Sequence, residues 1–321
     1  MTIKAGEGID IILGPSEGRF FSNGFRKVEH EFTPTHVAFE NGLPRVTFAV
    51  RMTYPSDWSI KPGKELNPHL STVDAFVISV QLAELLLICH HVDLKRTWIA
   101  QAIFTVGSEP QPVDRPIESQ AYLVAPPSET PAGVGWTVSC AVGSIRVQMR
   151  LVSATLPAKT VRTGDFVVDD ELGDGETRFY AHGYRTRTHH IDNITFGDDT
   201  SMTARVSVTG GGSSMIGLES GFGPTVSMLD CILAQAQMSQ VLLFSLDGLT
   251  RDQANTMWMR RIDLEASTPF RPNLGPFWAQ VHIAATQILN LHGHPWMTAT
   301  FEGSFAGISS SYKVACQLPE N

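Results

Sequence analysis

Two observations in the sequence predict an α+β fold of two tandem repeats, each with an antiparallel sheet around one long buried helix. The first is an internal duplication, since residues 67–87 (NPHLSTVDAFVISVQLAELLL) recur as residues 223–243 (GPTVSMLDCILAQAQMSQVLL). The second is that each copy is almost uncharged over about 16 residues, which is typical of a helix buried on most sides. A chain of 321 residues is long enough to bury two such helices.

A second pair of stretches supports the duplication. Residues 10–30 (DIILGPSEGRFFSNGFRKVEH) align with residues 169–189 (DDELGDGETRFYAHGYRTRTH) at an offset of 159, close to the offset of 156 between the helices. Two separate matches at nearly the same spacing indicate one duplication event. We therefore divide the chain into an N-terminal repeat at residues 1–158 and a C-terminal repeat at residues 159–321.

Segments with the period of β-strands surround each predicted helix. Alternating β-branched residues predict strands at residues 46–52 and 202–208, before the helices. After the helices, single strands are predicted at residues 98–106, 120–124, 258–264, 277–289, 295–301 and 312–317, and two strands are predicted within residues 135–153. A sheet that wraps one apolar helix is the hot-dog arrangement, so the sequence predicts a double hot dog. The alternative is two α+β domains without a common sheet, which would leave each apolar helix difficult to cover.

The start of each predicted helix carries the informative polar residues. Ser71 is a credible N-cap, and Asp74 lies in the first turn, where free N–H groups and the helix dipole favour a carboxylate. Gln81 lies about two turns further along the same face. Their equivalents in the second copy are Ser227, Asp230 and Gln237. A buried glutamine needs a partner, so we expect Gln81 either to hold substrate or to bond Gln237.

The bulk composition argues against several classes of protein. A net charge of −8 without a basic stripe disfavours nucleic-acid binding. The N-terminus has no apolar export signal and no apolar run reaches about 18 residues, so we expect a cytoplasmic protein without a membrane span. Four isolated cysteines predict reduced core thiols, and the adjacent histidine pairs lack a third ligand. We therefore expect neither a metal nor a cofactor.

The helix starts resemble those of hot-dog dehydratases, whose motif places a proline six residues before an acidic residue. Pro68 and Asp74 keep this spacing, and so does the second copy. The resemblance implies a thioester-binding tunnel along the helix, with first-turn N–H groups aimed at the acyl carbonyl. The catalytic histidine of those enzymes falls at Ile60 and Ile216, so the dehydration mechanism lacks its base.

A second resemblance covers nearly the whole chain. The motifs LGPSEGRFFSNGFR at residues 13–26 and PHLSTVDAFVISVQLAE at residues 68–84 resemble the AvrD family, proteins of plant-pathogenic and soil bacteria that direct synthesis of syringolide-type acyl-sugar elicitors. That family is similar in logic to AfsA-type hot-dog enzymes, which join a 3-oxoacyl thioester to a triose phosphate. The resemblance implies an enzyme that joins a 3-oxoacyl chain from CoA or acyl carrier protein to a small sugar or sugar phosphate, such as xylulose.

Asp74, His69 and Asp230 are the candidate catalytic residues. A desolvated Asp74 beside a tunnel would have a raised pKa suited to a general base, whereas its alternative role is a helix cap. His69 is the only histidine at either helix start, since Thr225 is its counterpart. Asp230 is a candidate because dehydratases take acid and base from opposite halves. The sequence does not decide which repeat is active.

The candidate substrate-binding residues are Gln81, Gln237, Ser71, Arg19, Arg178 and Lys64. The two arginines and the lysine could clamp a phosphopantetheine or a sugar phosphate. Alternatively, the arginines pair with Glu17 and Glu176 or stack on aromatic rings.

Two other functions stay open, namely a non-catalytic binding protein for acyl chains or lactones and a hot-dog dehydratase or thioesterase. Homodimer formation also stays open, because a double hot dog already contains a pseudo-dimer.

Overall fold

Fifteen strands form one antiparallel sheet around two long helices in the part of the chain that the computed structural model describes. The described residues are 6–40, 43–63, 66–156, 161–211, 215–247, 251, 257–271, 273–291 and 293–318. The strands are β1 (Glu29–Phe32), β2 (Thr35–Glu40), β3 (Leu43–Thr53), β4 (Thr97–Thr105), β5 (Ile117–Leu123), β6 (Ser128–Thr130), β7 (Gly133–Val142), β8 (Ile145–Ser153), β9 (Gly164–Phe166), β10 (Thr188–Asp198), β11 (Ser201–Thr209), β12 (Met257–Ala266), β13 (Phe277–Leu291), β14 (His294–Phe305) and β15 (Ile308–Gln317). The helices are α1 (Ile9–Leu13), α2 (Thr72–Cys89), α3 (Val168–Leu172) and α4 (Met228–Asp247). Short 3-10 helices lie at Ser16–Gly18, Gly24–Lys27, Leu94–Arg96, Gly175–Thr177, Gly183–Thr186 and Ser220–Phe222.

The two repeats share this sheet, which confirms the predicted double hot dog and excludes two domains without a common sheet. The strand order is β10-β11-β13-β14-β15-β12-β4-β8-β7-β5-β3-β2-β9, with β1 beside β3 and β6 beside β7. The repeats join where β12 pairs with β4, from Arg261 opposite Thr105 to Glu265 opposite Gln101. The short strand β9 pairs with β2 of the first repeat. The division between residues 158 and 159 stays a proposal.

The long helices α2 and α4 are almost uncharged, so burying them removes apolar surface from water without burying many charges. By length and composition alone both could cross a membrane, but 94% of the α2 window and 83% of the α4 window are buried inside the protein. Strand β3 alternates between buried and more exposed residues along its length, so that every second side chain faces the interior. Cys89, Cys140, Cys231 and Cys316 are buried free thiols, as expected.

The short helix at the start of each repeat packs on the long helix of the other repeat. Helix α1 lies against α4, and α3 lies against α2. The chain before α1 also contacts the second repeat, since the Gly6 N–H donates to the carbonyl oxygen of Ile194 in β10 at 3.0 Å. The two repeats therefore exchange their first segments.

Two buried arginines complete this exchange. Arg19 Nη1 donates to Oε1 of Gln237 at 3.0 Å, and Arg178 Nη1 donates to Oε1 of Gln81 at 3.1 Å. The predicted contact between Gln81 and Gln237 is therefore wrong, because each glutamine accepts from the arginine of the opposite repeat. The predicted partners Glu17 and Glu176 are also wrong. The arginine Nη2 atoms instead donate to Asp10 and Asp169.

Helix α2 also buries a carboxylate, Glu84, against the second repeat. Its Oε1 accepts from the Leu218 N–H at 2.8 Å, while no described residue bonds its Oε2. Gly217 permits this approach with a φ of +103°, since a Cβ there would lie 2.5 Å from Oε1. Burial raises the pKa of Glu84 to about 7, although the Leu218 N–H and the charge of Arg178 oppose the increase.

We expect Glu84→Gln to remove a pH dependence of stability. The ordinary pKa of 4.5 rises to about 7 on folding, so the unfolded chain releases the proton at a lower pH than the folded protein. The free energy of unfolding therefore falls as pH rises between these values, by about 2 to 3 kcal/mol from pH 5 to pH 8. Urea unfolding at pH 5 and pH 8 measures the decrease in the free energy of unfolding in each protein. The decrease should be smaller in the variant than in the wild type by about 2 to 3 kcal/mol.

The comparison with wild type isolates Glu84, because all other titrating groups are shared. Glutamine keeps an acceptor for the Leu218 N–H, so both proteins should fold. Equal losses of stability in the two proteins between pH 5 and pH 8 would show that the Glu84 carboxyl titrates normally.

Candidate active site

Each long helix begins at a cavity, and the two cavities differ greatly in size. The cavity at the start of α2 has a volume of about 640 Å³, whereas the one at the start of α4 has about 40 Å³. The larger volume lies within the usual range for small-molecule sites, about 300–1,000 Å³, and the smaller one holds only a few waters. The first repeat therefore carries the open site.

Both repeats line the large cavity. The first repeat contributes the loop that precedes α2 and the turn after β4, and the second repeat contributes α4 and β12. Apolar walls come from side chains such as Phe20, Trp58, Phe244, Met257 and Met259. The polar and charged part includes Arg19, Lys61, His69, Gln237, Gln240 and Arg251. The cavity thus combines a large apolar surface with a cationic region.

His69 lies in the cavity wall between two indole rings. Its ring centroid is 5.9 Å from that of Trp58 and 5.0 Å from that of Trp258. Its Nδ1 lies 3.0 Å from the carbonyl oxygen of Asn67. Because a carbonyl can only accept, Nδ1 carries the proton, and Nε2 of the neutral ring keeps its lone pair. No described residue bonds Nε2, so this nitrogen is available to a ligand.

Asp74 lies behind the cavity wall and is only 1% exposed. Its Oδ1 accepts from His30 Nε2 at 3.0 Å, and its Oδ2 accepts from the hydroxyls of Ser71, at 2.5 Å, and Tyr54. Burial acts to raise the pKa of Asp74, but the hydrogen bonds from these three residues outweigh it and the pKa is lowered. The expected raised pKa is wrong. The single hydroxyl proton of Tyr54 is shared between Asp74 and the His69 carbonyl oxygen, which lies 3.1 Å from the hydroxyl oxygen and links Asp74 to the segment that carries His69.

The equivalent Asp230 has a different set of neighbours. Its Oδ1 accepts from His189 Nε2 at 2.8 Å, and its Oδ2 lies 3.4 Å from Nη1 of Arg187. Burial opposes ionisation, but the charges of Arg187 and His189 outweigh it and lower the pKa of Asp230 to about 2. Arg187 also donates to the carbonyl oxygen of Thr225 at 3.0 Å and lines the small cavity. The arginine side chain thus takes up part of the space at the start of α4.

The binding of His30 and His189 to these two aspartates was not predicted from the sequence. His30 and His189 are the last residues of the two aligned stretches at residues 10–30 and 169–189. Their coincidence at the end of a repeated motif was the available signal. His189 also forms one of the adjacent histidine pairs, with His190. The described residues contain no group of three His, Cys, Asp or Glu side chains placed to hold a metal.

The remaining predicted site residues divide between the cavity and its surroundings. Arg19, Gln237 and Ser71 line the large cavity, and Ser71 is confirmed as an N-cap that accepts from the Asp74 N–H at 3.0 Å. Gln81 and Arg178 form the equivalent bridge elsewhere in the core and line neither cavity. Lys64 lies outside the described residues.

Solved structures with hot-dog folds resemble this chain at low identity. One is a protein from Alicyclobacillus acidocaldarius, with 8% identity, 88% of this chain and 96% of the other covered, and a TM-score of 0.41. Another is a protein assigned as an oleoyl thioesterase from Lactobacillus plantarum, with 9% identity, coverages of 91% and 97%, and a TM-score of 0.41. A third is a trans-AT polyketide synthase dehydratase domain from Brevibacillus brevis, with 12% identity, coverages of 89% and 97%, and a TM-score of 0.38.

The sequence itself identifies the family. No curated protein matches the chain. The model of the family described as Pseudomonas avirulence D protein (AvrD) matches residues 5–319, which is nearly the whole sequence. This match confirms the resemblance carried by the two motifs around Arg19 and Asp74, and the chain belongs to the AvrD family.

Proposed function

We propose that the protein is a biosynthetic enzyme that joins a 3-oxoacyl thioester to a small ketose such as xylulose. The observation that carries the proposal is an apolar cavity of about 640 Å³ that contains both the start of a buried helix and an available histidine nitrogen. The acyl chain would arrive on CoA or an acyl carrier protein, which agrees with a cytoplasmic location. No cofactor is needed for this reaction.

The apolar wall and the helix start suit the two ends of an acyl thioester. Side chains such as Phe20, Trp58 and Phe244 offer the acyl chain an apolar surface. Thr72 lines the cavity at the first turn of α2, where N–H groups have no intrahelical acceptor. These N–H groups and the helix dipole would stabilise negative charge on the thioester oxygen.

His69 is assigned as the general base. Its Nε2 takes the proton of a ketose hydroxyl while the hydroxyl oxygen attacks the thioester carbonyl carbon. The resulting oxyanion lies at the first turn of α2, and its collapse expels the thiolate, which recovers the proton from the imidazolium. The products are an ester and a free thiol. The acidic C2 of the acyl group can then lose a proton and attack the ketose carbonyl carbon. The carbonyl oxygen takes up a proton to become a hydroxyl, and the new carbon–carbon bond closes a ring.

Asp74 is assigned as a positioning residue rather than the base. Its lowered pKa keeps the carboxylate ionised, and its bonds to Tyr54 and His30 leave it no free oxygen toward the cavity. Tyr54 transmits this anchoring to the His69 backbone. Asp230 has the corresponding structural role in the second repeat, where Arg187 occupies the helix start.

We expect the purified protein to form an acyl-sugar ester from a 3-oxoacyl thioester and xylulose, detected by mass spectrometry with equimolar free thiol. His69→Gln should lower the rate by about 10²- to 10⁴-fold, the usual contribution of a general base. Thr225→Ala, at the equivalent position of the second repeat, is the matched control and should retain the wild-type rate.

Three outcomes would select another function. Thiol release that does not require the sugar indicates a thioesterase. Loss of water from a 3-hydroxyacyl thioester indicates a dehydratase. Tight binding of acyl thioesters or lactones, with the ligand recovered unchanged from every combination, indicates a non-catalytic binding protein.

Asp74→Asn and Asp230→Asn test the positioning role as a matched pair. Both changes remove a buried charge from a bonded cluster, so we expect each to lower the free energy of unfolding by about 3 kcal/mol. Only Asp74→Asn should also lower kcat, by about 10- to 100-fold, because displacement of His69 misaligns the base. Unfolding curves and steady-state kinetics on the folded variants provide the two readouts. Equal kcat values in the two variants would contradict the assignment.

A further inference from the structure

The buried arginines of the two repeats, Arg19 and Arg178, have equivalent hydrogen-bond partners. Each donates from Nη1 to a glutamine of the opposite long helix and from Nη2 to an aspartate of its own repeat. Arg19 and Arg178 are 3% and 2% exposed, and Nε of each is buried without a hydrogen-bond partner among the described residues. The two environments can therefore be compared position by position.

The comparison shows a difference three residues beyond each glutamine. In α2 this position is Glu84, close enough to Arg178 for the arginine charge to act on it. In α4 the equivalent position is Gln240, which is half-buried and lines the large cavity. The surroundings of Arg19 therefore have a neutral amide where those of Arg178 have a carboxyl group.

The loop opposite this position differs in the same sense. In the second repeat, Gly217 lies against the Glu84 carboxylate and the next N–H, from Leu218, holds it. At the offset of 156, the first repeat has Lys61 and Pro62. Proline has no N–H to hold a protein carboxylate, and the lysine brings a positive charge that lines the cavity.

A further cation lies near Arg19. Arg251 lines the cavity, and its charge acts to lower the pKa of Arg19. Its Nη1 and Nη2 donate to the carbonyl oxygens of Ile60 and Gly18 at 2.9 and 3.0 Å, which holds the guanidinium at this loop. Relative to the surroundings of Arg178, those of Arg19 thus lack a carboxyl group and bring cationic side chains to an open cavity.

We propose that a phosphate group of the substrate binds in the large cavity, beside Gln240 and close to Arg19, Arg251 and Lys61. This place corresponds to that of the Glu84 carboxyl group near Arg178. Several cations around one position favour a doubly charged, multidentate phosphate over a single carboxylate. This inference rests on the proposed function and names its substrate class. The phosphate belongs either to a phosphorylated ketose or to the phosphopantetheine arm of the thioester.

The test is ligand binding without turnover, followed by the fluorescence of Trp58 and Trp258 in the cavity wall or by calorimetry. The probes are inorganic phosphate, xylulose, xylulose 5-phosphate and 4′-phosphopantetheine. We expect at least one phosphorylated probe to bind about tenfold or more tightly than xylulose, and tighter at low than at high salt. Preference for xylulose 5-phosphate assigns the phosphate to the sugar, and preference for 4′-phosphopantetheine assigns it to the thioester arm.

Gln240→Glu and Glu84→Gln form the decisive pair of variants. Gln240→Glu places a carboxylate where the phosphate is proposed to bind, so affinity for the preferred phosphorylated probe should fall by about tenfold or more. Lys61→Gln should weaken the same probe by a smaller factor. Glu84→Gln changes the equivalent residue of α2, which lies near Arg178 and does not line the large cavity, so affinity should stay unchanged.

The outcomes separate this inference from the proposed function. Equal affinity for xylulose and every phosphorylated probe, or unchanged phosphate binding in Gln240→Glu, overturns the phosphate site even if the ester product forms. Phosphate binding that Gln240→Glu abolishes supports the site even if no thioester reacts. Equal losses in Gln240→Glu and Glu84→Gln place the effect outside the cavity and also overturn the proposal.

Discussion

The structure depends on two buried arginines that neither repeat can satisfy from its own residues. A guanidinium taken out of water is costly unless most of its N–H groups find acceptors. Arg19 and Arg178 each find one acceptor in their own repeat and one on the long helix of the other repeat, Gln237 or Gln81. Because the exchange is reciprocal, the two helix cores are held in one arrangement, and the large cavity forms between residues of both repeats.

The donors that bind the aspartate at each helix start diverged after the duplication, and this difference accompanies the difference in cavity size. Both aspartates at the helix starts are bound by a histidine and a serine, but the first also accepts from Tyr54, whose counterpart at the offset of 156 is Gly210. In the second repeat Arg187 supplies the missing donor to Asp230, and its larger side chain fills the helix start. The same aspartate is therefore anchored twice, once with an open cavity beside it and once without.

The sequence alone was sufficient for features that repeats and hydrophobic patterns encode. It predicted both buried helices, the N-cap Ser71, the double hot dog and the family, whereas the polar strands β1, β2 and β10 were missed because little of their surface is apolar. The pKa of Asp74 could not be predicted, because its direction depends on His30 and Tyr54, which are 44 and 20 residues away. The closed second site depends on the volume of Arg187 in the folded chain, which a pattern of residue types does not contain.

The distribution of buried ion pairs follows from having one open site and one closed site. At the start of α4, Arg187 pairs with Asp230, and Arg271 pairs with Glu219 at 2.8 Å, with all four side chains at most 4% exposed. Burying such pairs is costly unless most of their N–H groups and oxygens are bonded, and a ligand that displaced them would remove those bonds. At the start of α2 the anchored anion is instead bonded by neutral hydroxyls and His30, and cationic side chains line the cavity. The closed repeat can satisfy its charges internally, whereas the open repeat presents its positive charge to what enters.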